Sequence, residues 1–195
     1  MPRKKKVTDE AVLKNILAVI VERGTTVFSL NDLSRKTGLS PATLLQRFGS
    51  KQQILHKALE LANQDLQFKL ANRKIINNSP VQEIMAIYLE LASPFKLPNE
   101  VANGLDMLKL DILEKKLNVL TREYFGIRRN KIQSLIDLAK EKQQLPQAVV
   151  SLEMAWNLEA LWQGSIMLWA LTGEDNLSTW LEARLKSFFK IYGVE

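Results

Sequence analysis

The chain has 195 residues, of which 46% are hydrophobic, and it contains no cysteine. This length suits one small and one medium domain with a sizeable core, and the lack of cysteine excludes disulfide and thiolate chemistry. No apolar run reaches about 18 residues and no apolar segment follows the basic N-terminus, so we expect no transmembrane helix, no membrane partner and no secretory signal. These features are typical of a cytoplasmic protein.

Positive charge is concentrated in the first part of the chain, although the net charge of the whole is only +6. Residues 1–75 hold 14 Lys/Arg and 6 Asp/Glu, a net charge of +8, whereas residues 76–195 hold 13 and 15, a net charge of −2. Lysine and arginine gain affinity for phosphates through counterion release. The segregation therefore favours double-stranded DNA as a partner over a basic surface that serves only solubility.

A basic arm and an amphipathic helix begin the chain. The arm, over residues 1–7, contains four basic side chains: Arg3, Lys4, Lys5 and Lys6. It either lies along the DNA backbone or minor groove or is a solvated tail. Apolar residues at helical spacing then predict a first helix from about Thr8 to Gly24.

Capping signals predict a second helix over residues 30–37. Ser29 is a suitable N-cap, and Asp32 stands at the third helical position, where it completes a capping box. Gly38 ends the helix because glycine readily adopts the left-handed conformation found at helix C-termini. Ser29 is also included among the predicted DNA contacts.

A third helix is predicted over residues 41–48, directly after this turn. Ser40 is its N-cap, and proline follows at the first helical position, where its missing N–H costs nothing. Glycine ends the helix at position 49, and Ser50 with Gln53 forms a capping box that starts a fourth helix. Two short helices with such a turn indicate a helix-turn-helix; the alternative is an ordinary helical hairpin with a polar outer face.

The third helix carries the residues expected to read DNA. A recognition helix presents its N-terminal residues to base edges in the major groove. Thr43 is suited to a base edge or a thymine methyl, and Gln46 is suited to adenine. The predicted contacts on this helix and its cap are Ser40, Pro41, Ala42, Thr43, Gln46 and Arg47.

Residues 9–59 resemble the N-terminal domain of TetR-family transcriptional regulators, also called the TetR/AcrR family. In that family a first amphipathic helix ending in glycine precedes a helix-turn-helix with the core G-[VL]-S-x-x-T-[LI]-Y-x-x-F-x-[SN]-K. Here the core reads GLSPATLLQRFGSK over residues 38–51. The resemblance implies an all-α fold of about nine helices. An N-terminal three-helix DNA-binding domain would precede a C-terminal helical domain for ligand binding and dimerisation.

The resemblance also adds to the predicted DNA contacts. Lys51, at the start of the fourth helix, is similar to a phosphate contact of the family, and Asn31 occupies a position that often contacts DNA. The chain departs from the family at Leu45, where a tyrosine is usual. Leucine cannot donate the hydrogen bond of that tyrosine, so Gln46 or Arg47 would have to compensate.

We place the domain boundary at residue 50, with the DNA-binding domain over 1–50 and the helical domain over 51–195. The fourth helix, over about 51–75, is the expected connector. The body then begins at the break Asn77-Asn78-Ser79-Pro80, where Ser79 and Gln82 have capping-box spacing.

Apolar periodicity predicts three further helices, one ending before Pro94 and the others over about 99–120 and 122–144. A basic run interrupts the last of these, at Arg128, Arg129 and Lys131. We interpret it first as a solvated face or helix-end charge, and only second as a ligand or DNA contact.

The last two helices, over about 148–172 and 177–192, are apolar on nearly all sides. Such helices are buried on more than one face, which a domain of this size does not easily achieve alone. Pairing them with the same two helices of a second chain would form a four-helix bundle, so we predict a homodimer through these helices. A dimer would also place two recognition helices on a palindromic site.

Apolar and aromatic residues of the body are the candidates for a ligand site. A cavity lined by such groups would hold a small lipophilic molecule, whereas the alternative for each residue is ordinary core packing. The candidates are Tyr88, Phe95, Met107, Trp156 and Trp162. A highly charged ligand is disfavoured because few charged residues lie on the apolar faces.

Signals of catalysis and of cofactors are lacking in the sequence. His56 is the single histidine, and the eight glycines form no phosphate-binding loop, so we expect neither an enzyme nor a metal or cofactor site. We predict a sequence-specific transcriptional regulator, a repressor that a ligand releases from a palindromic operator. The alternatives are a regulator that responds to a protein partner and a helical interaction protein that no longer reads DNA.

Overall fold

A computed structural model describes residues 7–25, 29–173 and 176–194 of the chain. These residues form nine α-helices and one short 3-10 turn, Ile76–Asn78, and contain no strand. The helices are α1 (Asp9–Arg23), α2 (Leu30–Thr37), α3 (Pro41–Phe48), α4 (Lys51–Ala71), α5 (Pro80–Ala92), α6 (Pro98–Leu113), α7 (Lys115–Glu141), α8 (Ser151–Thr172) and α9 (Leu177–Lys190). The all-α prediction is confirmed. The four basic side chains predicted to form the arm, Arg3 to Lys6, lie outside the described residues.

None of the helices in the described ranges is long and apolar enough to cross a lipid bilayer.

The chain forms two compact units. Unit 1 comprises Met1–Leu66 and Ala102–Tyr124, and unit 2 comprises Gln67–Val101 and Phe125–Glu195. The division falls within α4, α6 and α7. The boundary that we placed at residue 50 concerns function and stays a prediction.

In unit 1, α1 packs on α2 and α2 packs on α3, which holds the helix-turn-helix on a common core. All members of this core are less than one-tenth exposed, and most are aliphatic. They are Val12, Ile16, Val19, Ile20, Leu33, Leu44, Phe48, Ile54, Leu55, Ala58, Met107 and Leu117. Burial of such side chains stabilises the fold by roughly 1.5–3 kcal/mol each relative to exposure. The angle between α2 and α3 therefore rests on packing as well as on the turn.

In unit 2, α5 and α8 both pack on α9. Two tryptophans join these helices while satisfying their own N–H groups. Trp162 Nε1 donates to the Tyr88 carbonyl at 2.9 Å, and Trp180 Nε1 donates to the Ser165 carbonyl at 2.9 Å. The tryptophans thus combine apolar packing with hydrogen bonds between helices.

The first three helices begin and end where the capping signals predicted. At α1, Thr8 Oγ1 accepts from the Ala11 N–H at 3.2 Å, and Gly24 is the C-cap. At α2 both bonds of the predicted capping box are present. At α3, Ser40 Oγ accepts from the Thr43 N–H at 3.1 Å. Local side-chain chemistry is therefore sufficient to set these boundaries.

Two predicted boundaries farther along the chain were wrong. The fourth helix ends at Ala71 rather than near residue 75, because the Asn72 side chain donates to the Phe68 carbonyl at 2.8 Å and closes the last turn. The break between the next long helices lies at Glu114 rather than near residue 121. The backbone bonds from Glu114 to Leu110 and from Asn118 to Glu114 continue there, so only a slight interruption separates α6 from α7.

The capping box predicted at α5 is only half formed. Ser79 Oγ accepts from the Gln82 N–H at 3.3 Å, as predicted. The Ser79 N–H, however, donates to the Ile76 carbonyl, and the Gln82 side chain accepts from Asn77 instead. The Ser79 N–H, which would have donated to Gln82 in a complete capping box, is thus used by the 3-10 turn before α5.

Candidate functional site

The start of α2 is held by a tight carboxylate cap. The Ser29 N–H and hydroxyl each donate to Asp32 Oδ2 at 2.7 Å, and the Asp32 N–H donates to Ser29 Oγ. The hydrogen bonds from the Ser29 hydroxyl and N–H, aided by Arg23 and Arg35, lower the pKa of Asp32 to about 2. The Asp32 carboxylate therefore stays ionised at any physiological pH, and its hydrogen bonds fix the N-terminus of α2.

The recognition helix α3 divides cleanly into an inner and an outer side. Leu44 and Phe48 are buried in the core of unit 1. Ala42, Leu45 and Gln46 are exposed, and Leu45 is 41% accessible although it is apolar. The outer side is therefore small and apolar with one amide, a chemistry suited to base edges and thymine methyls.

The N-terminal turn of α3 presents two linked hydroxyls. Ser40 is exposed and Thr43 is half-buried, and their hydroxyl oxygens lie 2.9 Å apart. Pro41, also half-buried, occupies the first helical position. The turn thus has both a fixed backbone and groups able to donate or accept, and this is the end of a recognition helix that meets bases.

Arg47 is engaged within the protein rather than extended outward. Its Nε donates to Asp9 Oδ1 at 2.8 Å, and its Nη2 donates to the Val7 carbonyl at 2.9 Å. Sequence reasoning missed this tie, although an aspartate in the first turn of α1 was a possible signal. A DNA contact by Arg47 stays a prediction, since the guanidinium would first have to leave Asp9.

The turn after α3 requires glycine. Gly49 has a φ of +88°, and a Cβ there would lie 1.9 Å from Oε1 of Gln53. That oxygen accepts from the Ser50 N–H at 2.8 Å and caps α4. The predicted phosphate contact Lys51, half-buried, is the first residue of this capped helix.

The two predicted DNA contacts at the start of α2, Ser29 and Asn31, are not equally free to contact DNA. Asn31 is exposed at the start of the helix, whereas the Ser29 hydroxyl is taken up by the Asp32 cap. Two arginines that the prediction omitted, Arg23 and Arg35, flank the same carboxylate. The exposed guanidinium groups add positive charge beside the recognition helix.

The five candidate ligand residues do not form one cluster. Tyr88 and Trp162 are both buried and pack with ring centroids 6.2 Å apart. Phe95 is half-buried beside a separate cleft of unit 2. Met107 belongs to the core of unit 1, and Trp156 is half exposed on α8. A common ligand site for all five stays a prediction.

The interpretation of the basic run as a solvated face was wrong for Arg128. This side chain is 1% exposed and is among the largest fully buried side chains of the described structure. It pairs with Glu159 of α8, and Arg129 lies 3.4 Å from the same carboxylate. The sequence carried no local signal of this burial, because the partner lies about 30 residues away.

Comparison with known proteins agrees with this arrangement. Residues 12–58 match the family model described as bacterial regulatory proteins, tetR family. No curated protein sequence matches the chain.

Solved structures extend the likeness to nearly the whole chain. A TetR transcriptional regulator from Legionella pneumophila superposes with a TM-score of 0.73 at 17% identity, covering 99% of this chain and 100% of its own. A TetR transcription regulator from Haloarcula marismortui gives 0.72 at 12% identity, with 95% and 96% covered. A protein described as a transcriptional regulator from Saccharomonospora viridis, solved in complex with choline, gives 0.68 at 22% identity, with 93% and 95% covered.

The all-α fold with its capped helix-turn-helix supports a role in DNA-binding transcription regulation. Residues 12–58 thus match the sequence pattern of bacterial regulatory proteins of the tetR family, and the described helices share the fold of solved TetR-family regulators.

Proposed function

We propose that the protein is a homodimeric repressor that binds a palindromic operator and leaves it when a small lipophilic ligand binds. The observation that carries this proposal is the outer side of α3. Ala42, Leu45 and Gln46 are exposed there, while caps at Ser40 and Gly49 and the buried Leu44 and Phe48 hold the helix in place. A rigid helix with an exposed, sequence-reading side is what operator recognition needs.

Base reading is assigned to the start and the outer side of α3. Thr43 and Gln46 supply hydrogen-bonding groups, and Pro41 and Ala42 allow the backbone to approach the bases closely. Asn31 and Lys51 lie at the starts of α2 and α4 and are assigned to the phosphate backbone, whereas Ser40 lies with Thr43 at the base-reading end of α3. Phosphate contacts position the protein but carry no sequence information.

The proposed dimer uses the outer face of α8. This face is defined by exposed apolar side chains that recur at helical spacing: Leu152, Trp156, Met167, Leu168 and Leu171. Leu168 is 55% exposed and Leu171 is 79% exposed. A contiguous exposed apolar patch marks an interaction surface, and a second copy of the same helix would cover it symmetrically.

Release by a ligand is proposed to act through α4. This helix begins three residues after the end of α3 and continues to Ala71 without interruption. A ligand that binds one arrangement of the body better than the other shifts the population toward that arrangement. A shift of α4 would then change the spacing of the two recognition helices and lower the affinity for the operator.

Fluorescence anisotropy with DNA selected from a random-sequence pool tests the proposal. Changing both Thr43→Ala and Gln46→Ala should weaken binding of the selected DNA about tenfold or more, because each base contact contributes roughly 1–3 kcal/mol. The matched control combines Gln64→Ala with Thr179→Ala, two exposed residues on α4 and α9, and should leave affinity unchanged.

Two results would contradict the proposal. Selection that yields no two-fold symmetric sequence would argue against a palindromic operator. Equal binding by the two double variants would show that the outer side of α3 does not read bases, as expected for a helical interaction protein that no longer recognises DNA.

A further inference from the structure

Arg128 is enclosed by aromatic rings in the interior of unit 2. Its guanidinium carbon lies 4.8 Å from the ring centroid of Trp162, 4.8 Å from that of Phe125 and 5.9 Å from that of Tyr88. Cation–π contacts of this kind partly compensate for the loss of water around a buried cation. They also occupy the aromatic faces that an organic cation from outside would need.

The charges around Arg128 do not balance. Glu159 accepts from Arg128 Nη2 and lies 3.4 Å from Arg129 Nη1, so one carboxylate serves two guanidinium groups. Burial raises the pKa of the Tyr88 hydroxyl, which therefore stays neutral. The cluster of Arg128, Arg129 and Glu159 thus carries a net positive charge.

One donor of the cluster also lacks an acceptor. Arg128 Nε is buried and has no hydrogen-bond partner among the described residues. An unsatisfied buried donor destabilises the folded state, most of all when the group is charged, so such donors are rare in folded proteins. An oxygen acceptor with a negative charge would correct both the unsatisfied donor and the charge imbalance.

A cleft of about 460 Å³ opens on the same side of α8. Its lining combines the apolar side chains of Leu89, Phe95, Trp169 and Leu177 with the polar side chains of Ser93, Lys96, Asn176 and Ser178. Trp169 and Trp162 are both buried, and seven residues of helix separate them by about 10 Å. A molecule with an apolar chain of that length would span the distance between the two tryptophans.

We propose that Arg128 binds the carboxylate of a lipophilic monocarboxylic acid, whose apolar body extends along α8 toward the cleft beside Phe95 and Trp169. Because this inference names the ligand class of the proposed repressor, it rests on the proposed function. It narrows the lipophilic ligand expected from the sequence to one with a single negative charge at one end.

Binding at Arg128 has a direct route to the outer face of α8. Glu159 links Arg128 to Arg129, whose guanidinium carbon lies 3.6 Å from the ring centroid of Trp156. A carboxylate that competes with Glu159 for Arg128 leaves Glu159 to Arg129 alone. The position of Arg129 on Trp156, which lies on the outer face of α8, would then respond to the ligand.

Three probes of equal chain length test the inference on the full-length protein: octanoate, octylammonium and octanol. Binding is followed by intrinsic tryptophan fluorescence and by calorimetry at neutral pH. We expect octanoate to bind about tenfold or more tightly than octanol, because a charge-assisted hydrogen bond to Arg128 adds about 1.5–3 kcal/mol, and octylammonium to bind most weakly. Equal binding of all three probes, no binding of any, or a preference for octylammonium would overturn the inference.

A double variant then tests whether the preference for octanoate over octanol depends on Arg128 and Glu159. The combined change of Arg128→Met and Glu159→Gln removes the ion pair without leaving a lone buried charge. It should bind octanol as the wild type does and lose the preference for octanoate; a retained preference would overturn the assignment. Since the comparison of probes in the wild type needs no variant, poor folding of the double variant leaves the test intact.

Measurement of DNA binding in the same samples separates the two proposals. Sequence-selective DNA binding without a preference for octanoate would defeat this inference alone. Absence of sequence-selective DNA binding in the wild-type protein would contradict the proposed function.

Discussion

Arg47, near the end of the recognition helix, donates from Nε to the Asp9 carboxylate at 2.8 Å and from Nη2 to the Val7 carbonyl. The bonds tie α3 to the first turn of α1 and to the residue just before it. The Arg47 side chain is largely buried in this arrangement, so it holds a fixed position. Arg47 therefore acts as a link between the recognition helix and the end of the basic arm.

A double-mutant cycle distinguishes this link from a direct DNA contact. We expect Arg47→Ala and Asp9→Ala to weaken DNA binding by similar factors, and the double variant to be no weaker than either, because both changes break one tie. Anisotropy titrations over a range of salt concentrations measure the effect. A salt slope that falls by about 1 in Arg47→Ala alone would instead show a phosphate contact.

The pH dependence of the free energy of unfolding should reveal the ionisation of Asp111. This carboxyl is buried on α6 with Oδ1 unsatisfied, and burial raises its pKa to about 6 despite a hydrogen bond with Thr121. The folded state therefore binds a proton that the unfolded state releases near pH 4, so stability falls as pH rises from about 4 to 6. Asp111→Asn should remove this fall.

Urea denaturation of wild type and Asp111→Asn at about pH 4 and about pH 7.5 measures the effect. The variant should be more stable by up to about 3 kcal/mol at the higher pH, because the pKa rises by about two units and one unit corresponds to about 1.4 kcal/mol. It should be nearly equal to wild type at the lower pH. An advantage of the same size at both pH values would mean that packing rather than ionisation is responsible.

Arg73 offers a matched comparison of a buried and an exposed ion pair. It contacts both Glu83, which is 1% exposed, and Glu90, which lies at the surface. Glu83 also accepts from the Ile76 N–H at 3.2 Å. Glu83→Ala should lower the free energy of unfolding by about 2–3 kcal/mol, because it removes the buried partner of Arg73 and leaves the Ile76 N–H without an acceptor.

Glu90→Ala is the control for that change and should cost less than about 1 kcal/mol, as exposed pairs do. Chemical denaturation gives both values. Comparable losses in the two variants would show that burial of Glu83 contributes nothing beyond the surface interaction.

The proposed dimer makes a prediction about oligomeric state. Changing Leu168→Glu together with Leu171→Glu places charge on the outer face of α8 and should convert dimer to monomer at micromolar concentration, because unpaired charges are not tolerated in an apolar interface. Light scattering after size exclusion measures the mass. The control Leu97→Glu changes another exposed leucine, 57% accessible and in the segment between α5 and α6, and should remain dimeric.

A monomeric wild type would contradict the dimer proposal outright. A dimeric Leu168→Glu, Leu171→Glu variant would move the interface to another surface.

The boundaries of α1, α2 and α3 could be predicted because their determinants are local. Ser29 and Asp32, Ser40 and Thr43, and Gly49 with Gln53 lie within four residues of one another and satisfy the end groups of the helices by themselves. The candidate DNA-reading surface followed from the same information. Its inner and outer sides are set by helical spacing alone.

Other features depended on contacts that sequence spacing does not reveal. The α6–α7 junction has no glycine or proline, and it lies at Glu114, whose side chain accepts from Gln52 of α4. Arg47 looked like an outward basic residue until Asp9, distant in sequence, became its partner. In both cases the deciding partner lies 38 or more residues away.

The amino-acid sequence by itself determined that this protein is all-helical, that it carries a capped helix-turn-helix, and that its positive charge accompanies that motif. These properties follow from periodicity and from hydrogen bonds between near neighbours. Only the tertiary structure decided which charges are buried. Arg128 and Arg129 are adjacent in a basic run, yet Arg128 alone is enclosed by aromatic rings, because burial of a charge depends on partners that folding brings from other helices.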